Sequence, residues 1–111
     1  MSAQQYEIWT ANLEKRMGTE PGKVRPVVIV QCDFLNDDFP STIICPITTQ
    51  TEPRLTILRV ALEVGQLKKQ SDVIVDQVRS IDNTRLGKKI GKLTALQIKK
   101  LRDNLRIVLD L

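Results

Sequence analysis

Val24-Arg25-Pro26-Val27-Val28-Ile29-Val30-Gln31-Cys32 is the stretch on which the fold turns. Its β-branched residues suit a pleated, partly buried surface. The run from Val27 to Val30 is apolar without alternation, so this strand is expected to be buried on both faces. Pro26 has no N–H to offer a neighbouring strand, which places it at the start or edge of the element. Upstream, Tyr6–Ala11 reads as a first strand. The polar stretch Glu14–Lys23, punctuated by Gly18, Pro21 and Gly22, reads as a long loop. Downstream, Asp33–Ser41 holds the turn formers Asn36, Asp37, Asp38 and Pro40. Thr42–Thr48 follows as a strand and Thr49–Pro53 as a loop. Leu55–Leu62 alternates as a strand, and Asp72–Val75 with Gln77–Ile81 forms a paired or bent strand region.

The last segment is helical. Thr94-Ala95-Leu96-Gln97 is a capping box, and Leu93 with Ile98 supplies the accompanying hydrophobic staple. Ile98, Leu101, Leu105 and Val108 recur at helical spacing, with Lys99, Lys100, Arg102 and Asp103 turned to water. Many short strands and one terminal helix predict a mainly-β fold: a small, strongly bent barrel with the helix packed on or across it.

The chain has 111 residues, enough for one domain (residues 1–111) with one core. Hydrophobic residues make up 41% and charged residues 27%, an ordinary globular composition. The N-terminus lacks the pattern of a secretory signal, and the apolar run Val27–Val30 is far shorter than a membrane span. A cytoplasmic protein without membrane contact is expected. The net charge of +4 favours anionic partners, either nucleic acid or an acidic protein segment. The basic residues cluster: Lys15, Arg16, Lys23 and Arg25; then Arg79, Arg85, Lys88, Lys89 and Lys92; then Lys99, Lys100, Arg102 and Arg106.

There is no histidine. That excludes Ser-His-Asp and Cys-His nucleophiles and two-histidine acid–base ribonuclease chemistry. Any hydrolysis must rest on Arg, Lys, Asp, Glu, Thr, Ser or Tyr. Two widely spaced cysteines without histidine argue against structural zinc. Cys32 and Cys45, each in apolar surroundings, read as buried, reduced core thiols. No cofactor or metal is expected.

Four strings, in order, resemble the MazF/PemK toxin family: Glu7-Ile8-Trp9-Thr10-Ala11-Asn12-Leu13; Gly22-Lys23-Val24-Arg25-Pro26-Val27-Val28-Ile29-Val30-Gln31; Pro46-Ile47-Thr48-Thr49-Gln50; and Asp76-Gln77-Val78-Arg79-Ser80-Ile81-Asp82. Leu86, Ile90 and Gly91-Lys92-Leu93 also fit, so the resemblance spans essentially the whole chain. It implies an SH3-like barrel of the CcdB/MazF/PemK type with a C-terminal helix, assembled as a homodimer. It implies sequence-specific, metal-independent cleavage of single-stranded RNA. It also implies an antitoxin partner whose acidic, disordered tail occupies the RNA groove. There are departures. The family usually carries Arg-Gly or Lys-Gly before the first strand, where this chain has Gln5-Tyr6. A catalytic arginine of the plasmid-type branch falls at Ile74. The chain is more similar to the chromosomal branch, whose catalytic arginine and threonine map onto Arg25 and Thr48.

RNA carries its own nucleophile, the 2′-hydroxyl, so placement and charge stabilisation supply most of the catalysis. A guanidinium at Arg25 can grip a phosphate through two parallel N–H bonds; read without the resemblance, it is an ordinary surface arginine. The Thr48 hydroxyl can donate to a non-bridging oxygen, although a strand threonine chosen for β propensity reads as well from the residue alone. Glu20 matches an acid proposed as base in some relatives and reads equally as an exposed loop carboxylate. Asp76 matches an acid of the plasmid-type branch and reads at least as well as a structural partner of Arg79. The loops Lys15–Lys23 and Thr49–Arg54 are expected to flank the RNA groove. Arg16, Lys23, Arg54 and Arg79 are phosphate-contact candidates, and Thr49, Gln50 and Gln77 are further RNA contacts. Bases would be read by stacking and edge hydrogen bonds, but aromatics are only 4% of the chain and Trp9 reads as core. Two rivals are a gyrase-poisoning toxin on the same barrel and a non-catalytic SH3-like binding module. The first acts through C-terminal aromatics, and this chain ends Ile107-Val108-Leu109-Asp110-Leu111.

Overall fold

The structure, a computed structural model, describes residues 3–13, 23–36 and 38–111. The strands are β1 (Glu7–Asn12), β2 (Val24–Ile29), β3 (Ser41–Thr48), β4 (Arg59–Ala61), β5 (Asp72–Ile74), β6 (Arg79–Asp82) and β7 (Leu86–Lys92). One helix follows, α1 (Ala95–Leu109). Every strand pair is antiparallel, in the order β4-β5-β3-β2-β1-β7, with β6 also paired to β3. The expected mainly-β fold with a C-terminal helix is found. The barrel is a bent sheet that stays open, since β4 and β7 are its two ends.

Two prolines organise the bend. The β2–β3 ladder runs from Ile29↔Ile44 to Val27↔Pro46 and stops there, because the next reciprocal bond would need an N–H on Pro26. Pro26 still pairs with Thr10 of β1, so the expected edge position is met on one side of the strand only. The first half of β3 pairs with β6 as far as Ile44↔Arg79, and its end pairs with β5 from Ile47↔Val73. Pro46 lies in the gap between these two partners, where a missing donor costs no ladder bond.

Strand alternation explains the unbroken apolar run in β2. Val28 joins Ile8, Cys45, Ile47, Val73 and Leu101 in the cluster that α1 covers. Val27 and Ile29 join Trp9, Ala11, Ile44 and Ile81 on the other face. Both halves of the predicted capping box form: Thr94 Oγ1 accepts from the Gln97 N–H at 3.2 Å, and Gln97 Oε1 accepts from the Thr94 N–H at 3.0 Å. Leu93 is buried and Ile98 packs against the same cluster. Thr94→Ala is expected to lower stability by about 1 kcal/mol, read as a shift in the urea midpoint at unchanged m-value.

Four expectations are corrected. First, β2 ends at Ile29 rather than Cys32. Val30 N–H and Gln31 N–H both donate to the Ile43 carbonyl, at 2.9 and 3.1 Å, so the chain kinks there and Cys32 emerges exposed beside a turn. Second, Leu55–Leu62 is strand only over Arg59–Ala61. The preceding residues turn, and the Thr56 carbonyl is taken by Lys100 Nζ and Asn104 Nδ2 of α1, at 2.7 and 3.1 Å. Third, Gln77 belongs to a 3-10 turn, Val75–Gln77, rather than to a strand. Fourth, Leu86–Lys92 is a strand that sequence patterning did not reveal. Its register against β1 slips twice, and its residues are mostly exposed. Tyr6, where the resemblance led to an expected glycine, has a φ of 70°. Its left-handed backbone is held by its N–H to the Ile29 carbonyl at 2.7 Å and its carbonyl from the Leu93 N–H at 2.9 Å.

Candidate functional site

Arg25 stands on β2 opposite Ala11 of β1 and is half-buried. The β2–β3 ladder pairs Val27 with Pro46 and ends two residues short of Arg25 and Thr48. Period-2 alternation puts both on the face of Val27 and Ile44. Arg79 of β6 lies directly opposite Ile44, on that same face, and is exposed. Three of the predicted residues (Arg25, Thr48 and Arg79) therefore share one face around Pro46. Among the described residues, neither arginine makes an ion pair.

Thr48 is held in a working orientation. Its Oγ1 accepts from the Gln50 N–H at 3.0 Å, which leaves the hydroxyl proton free to donate elsewhere. The turn that follows is fastened from below. Arg59 Nη1 donates to the Gln50 carbonyl at 2.9 Å and pairs with Asp72 Oδ2 at 3.4 Å. Asp72 Oδ2 also accepts from the Glu52 N–H at 2.8 Å. Asp72 is only 3% exposed and is the register partner of Thr48, so this pair underlies the candidate hydroxyl. Arg59 and Asp72 escaped the sequence reading. Neither lies in a motif, and the signal would have been a lone carboxylate heading an apolar strand.

The remaining candidates are dispersed. Thr49 and Gln50 are exposed on the fastened turn, and Arg54 is exposed on the next. Lys23 is exposed before β2, its carbonyl accepting from the Leu13 N–H at 3.2 Å. Asp76 and Gln77 are exposed on the 3-10 turn. Among the described residues no ion pair joins Asp76 to Arg79, so the expected structural pairing is corrected: Arg79 lies on the strand beyond the turn. Arg16 and Glu20 lie outside the described residues. Among the described residues, no three of His, Cys, Asp and Glu gather as a metal site, and no helix is long and apolar enough to cross a membrane.

The cysteines divide. Burial, seconded by the negative charge of Asp76, pushes the Cys45 thiol up to about 12, which withholds the reactive thiolate. Cys32 is exposed, not buried as expected. A maleimide is expected to label the native chain once, at Cys32, and to reach Cys45 only on unfolding; intact-mass spectrometry with peptide mapping reads this. Native labelling at Cys45 would contradict the packing described.

Residues 4–109 match the family described as PemK-like, MazF-like toxin of type II toxin–antitoxin system. The chain is 31% identical over 107 residues to Endoribonuclease MazF of Staphylococcus saprophyticus, covering 95% of this chain and 89% of that protein. It is 30% identical over 113 residues to Endoribonuclease EndoA of Bacillus subtilis, covering 100% and 97%. It superposes on Mycobacterium tuberculosis toxin MazF-mt6 with a TM-score of 0.79 at 27% identity, covering 95% of this chain and 97% of that one. With the bent sheet, the terminal helix and near-complete coverage in agreement, the chain belongs to the PemK-like, MazF-like toxins of type II toxin–antitoxin systems.

Proposed function

We propose that this chain is an endoribonuclease toxin that cuts single-stranded RNA at a preferred sequence and needs no metal. Two relatives that align with nearly all of it bear the name endoribonuclease. The observation that supports the mechanism is strand alternation, which gives Arg25 and Thr48 the same sheet face just past the end of the β2–β3 ladder. In this reading the 2′-hydroxyl attacks the adjacent phosphorus, the bond to the 5′-oxygen breaks, the leaving 5′-oxygen takes a proton from water, and the products are a cyclic phosphate (or, once water opens it, a 3′-phosphate) and a 5′-hydroxyl. Arg25 stabilises the added charge on the phosphorane through its permanently charged fork. Thr48 donates its free proton to a non-bridging oxygen. Glu20 or Asp76 accepts the 2′-hydroxyl proton. Lys23, Arg54, Arg79 and Arg16 contact phosphates, while Thr49, Gln50 and Gln77 meet the sugar and base edges.

The chain acts in the cytoplasm as a homodimer and is silenced by an antitoxin whose acidic, disordered tail lies over the same groove. End-mapping of products from a long unstructured RNA in EDTA-containing buffer tests the reaction. Cuts at one recurring sequence leaving 5′-hydroxyl ends are expected. Ends bearing 5′-phosphate, or activity lost in EDTA, would overturn the metal-free route. Glu20→Gln and Asp76→Asn, compared by the pH dependence of kcat, identify the base: the correct variant loses the acidic limb of the profile.

A further inference from the structure

On the sheet face opposite Arg25 and Thr48 lies a cleft of about 760 Å³ that the cleavage step does not use. Pro26, Leu67 and Ile90 form its apolar wall, and Lys68, Lys69 and Lys88 its charged one. It begins next to the candidate catalytic pair. Pro26 follows Arg25 in sequence, and Thr49, which also lines the cleft, follows Thr48. Pro26, on its wall, lies just past the last β2–β3 pair, Val27↔Pro46.

The lysines stand on a braced frame. Gly65 turns the chain with a φ of 87°. The Gln66 side-chain amide exchanges two hydrogen bonds with that of Gln97, at 2.8 and 2.7 Å, and donates to the Lys92 carbonyl at 3.0 Å. Gln97 is buried and closes the capping box of α1. The segment bearing Lys68 and Lys69 is thus tied to the helix start and to the end of β7. Lys89 points to the other face of β7 and is held by Glu7 at 2.8 Å. Among the described residues, no ion pair engages Lys68, Lys69 or Lys88.

We infer that this cleft is a second RNA subsite, which takes nucleotides flanking the cut bond on one side. Their phosphates meet the three lysines, and a sugar or base face lies on Ile90, Leu67 and Pro26. The volume falls within the ~300–1,000 Å³ typical of ligand clefts. Lysines beside apolar walls match the alternation of phosphate with base along a single strand. Two of its lining residues, Pro26 and Thr49, adjoin Arg25 and Thr48 in sequence, which favours the substrate strand over an acidic peptide. The inference rests on the endoribonuclease reading.

The test uses single-stranded RNAs with one cut site and flanks extended stepwise on either side, cleaved by the wild-type chain and by the triple variant K68Q/K69Q/K88Q. Binding of the same RNAs is measured by fluorescence anisotropy. Wild-type kcat/KM and affinity are expected to rise with length on one flank. The variant loses that rise, falls about tenfold or more behind on long RNA, and converges with wild type on the shortest. Its log–log salt slope for long RNA becomes shallower by about 2, since each phosphate contact on a single strand contributes ~0.7. Three results would overturn the assignment: an unchanged length dependence and salt slope, an equal loss on short and long RNA, or normal RNA behaviour with lost binding of poly-glutamate. If wild type cuts none of the series, the endoribonuclease reading fails, and the binding arm still decides whether the cleft takes RNA.

Discussion

Arg25→Ala is expected to reduce kcat/KM on single-stranded RNA by about 100- to 1,000-fold, the scale seen when one preorganised charge-stabilising donor is removed. The loss should appear mainly in kcat, because the extra charge on the phosphorane exists only in the transition state. Arg25 is half-buried and makes no ion pair among the described residues, so thermal stability should stay close to wild type. Arg25→Lys should recover part of the activity only: an ammonium restores the charge but not the two parallel N–H bonds. Single-turnover cleavage separates these effects from RNA binding. A loss under threefold in the alanine variant would move the charge-stabilising role to another cation, with Arg79 on the same face the first to examine.

Asp72→Ala is expected to cost about 3 kcal/mol of stability, the range for removing one partner of a buried ion pair. At ~4 °C or more per kcal/mol for a domain of this size, that is a fall in Tm on the order of 10 °C. Three contacts fail together: the Arg59 guanidinium loses its counter-charge, the Glu52 N–H loses its acceptor, and the turn after Thr48 loses its fastening. Cleavage at a temperature where the variant is fully folded should therefore drop as well, because Thr48 and Gln50 are no longer held in register. Asp72→Asn keeps an acceptor for Glu52 while removing the charge, and should fall between. Calorimetry and cleavage on the same samples check both halves. Unchanged cleavage by a folded Asp72→Ala chain would show that the turn's fastening is irrelevant to the reaction.

What the sequence disclosed follows from how local each signal is. The cap at Thr94 and Gln97, the helix stripe from Ile98 to Val108 and the apolar run of β2 are written in neighbouring residues, and all three hold in the structure. The family motifs carried Arg25, Thr48 and Arg79, and strand alternation gives all three the face of Val27 and Ile44. The misses depend on distant partners. Cys32 looked internal until the Ile43 carbonyl kinked the chain before it. Leu55–Leu58 looked strand-like until α1 claimed the Thr56 carbonyl. β7 has polar, glycine-bearing composition and owes its strand form to β1. Asp72 and Arg59 meet only after β4 and β5 pair. No short-range pattern encodes such encounters.

The two ring residues of the central strands have a consequence for how far this protein can be hardened. Pro26 halts one zipper and Pro46 spans the handover between two others. The amide donor that Pro26 withholds leaves a bond of about 1 kcal/mol unmade, and the mouth beside Arg25 and Thr48 lies where that ladder ends. A replacement of Pro26 that extended the ladder and closed that mouth would make a sturdier molecule and a poorer nuclease, so robustness and catalysis pull in opposite directions at that position.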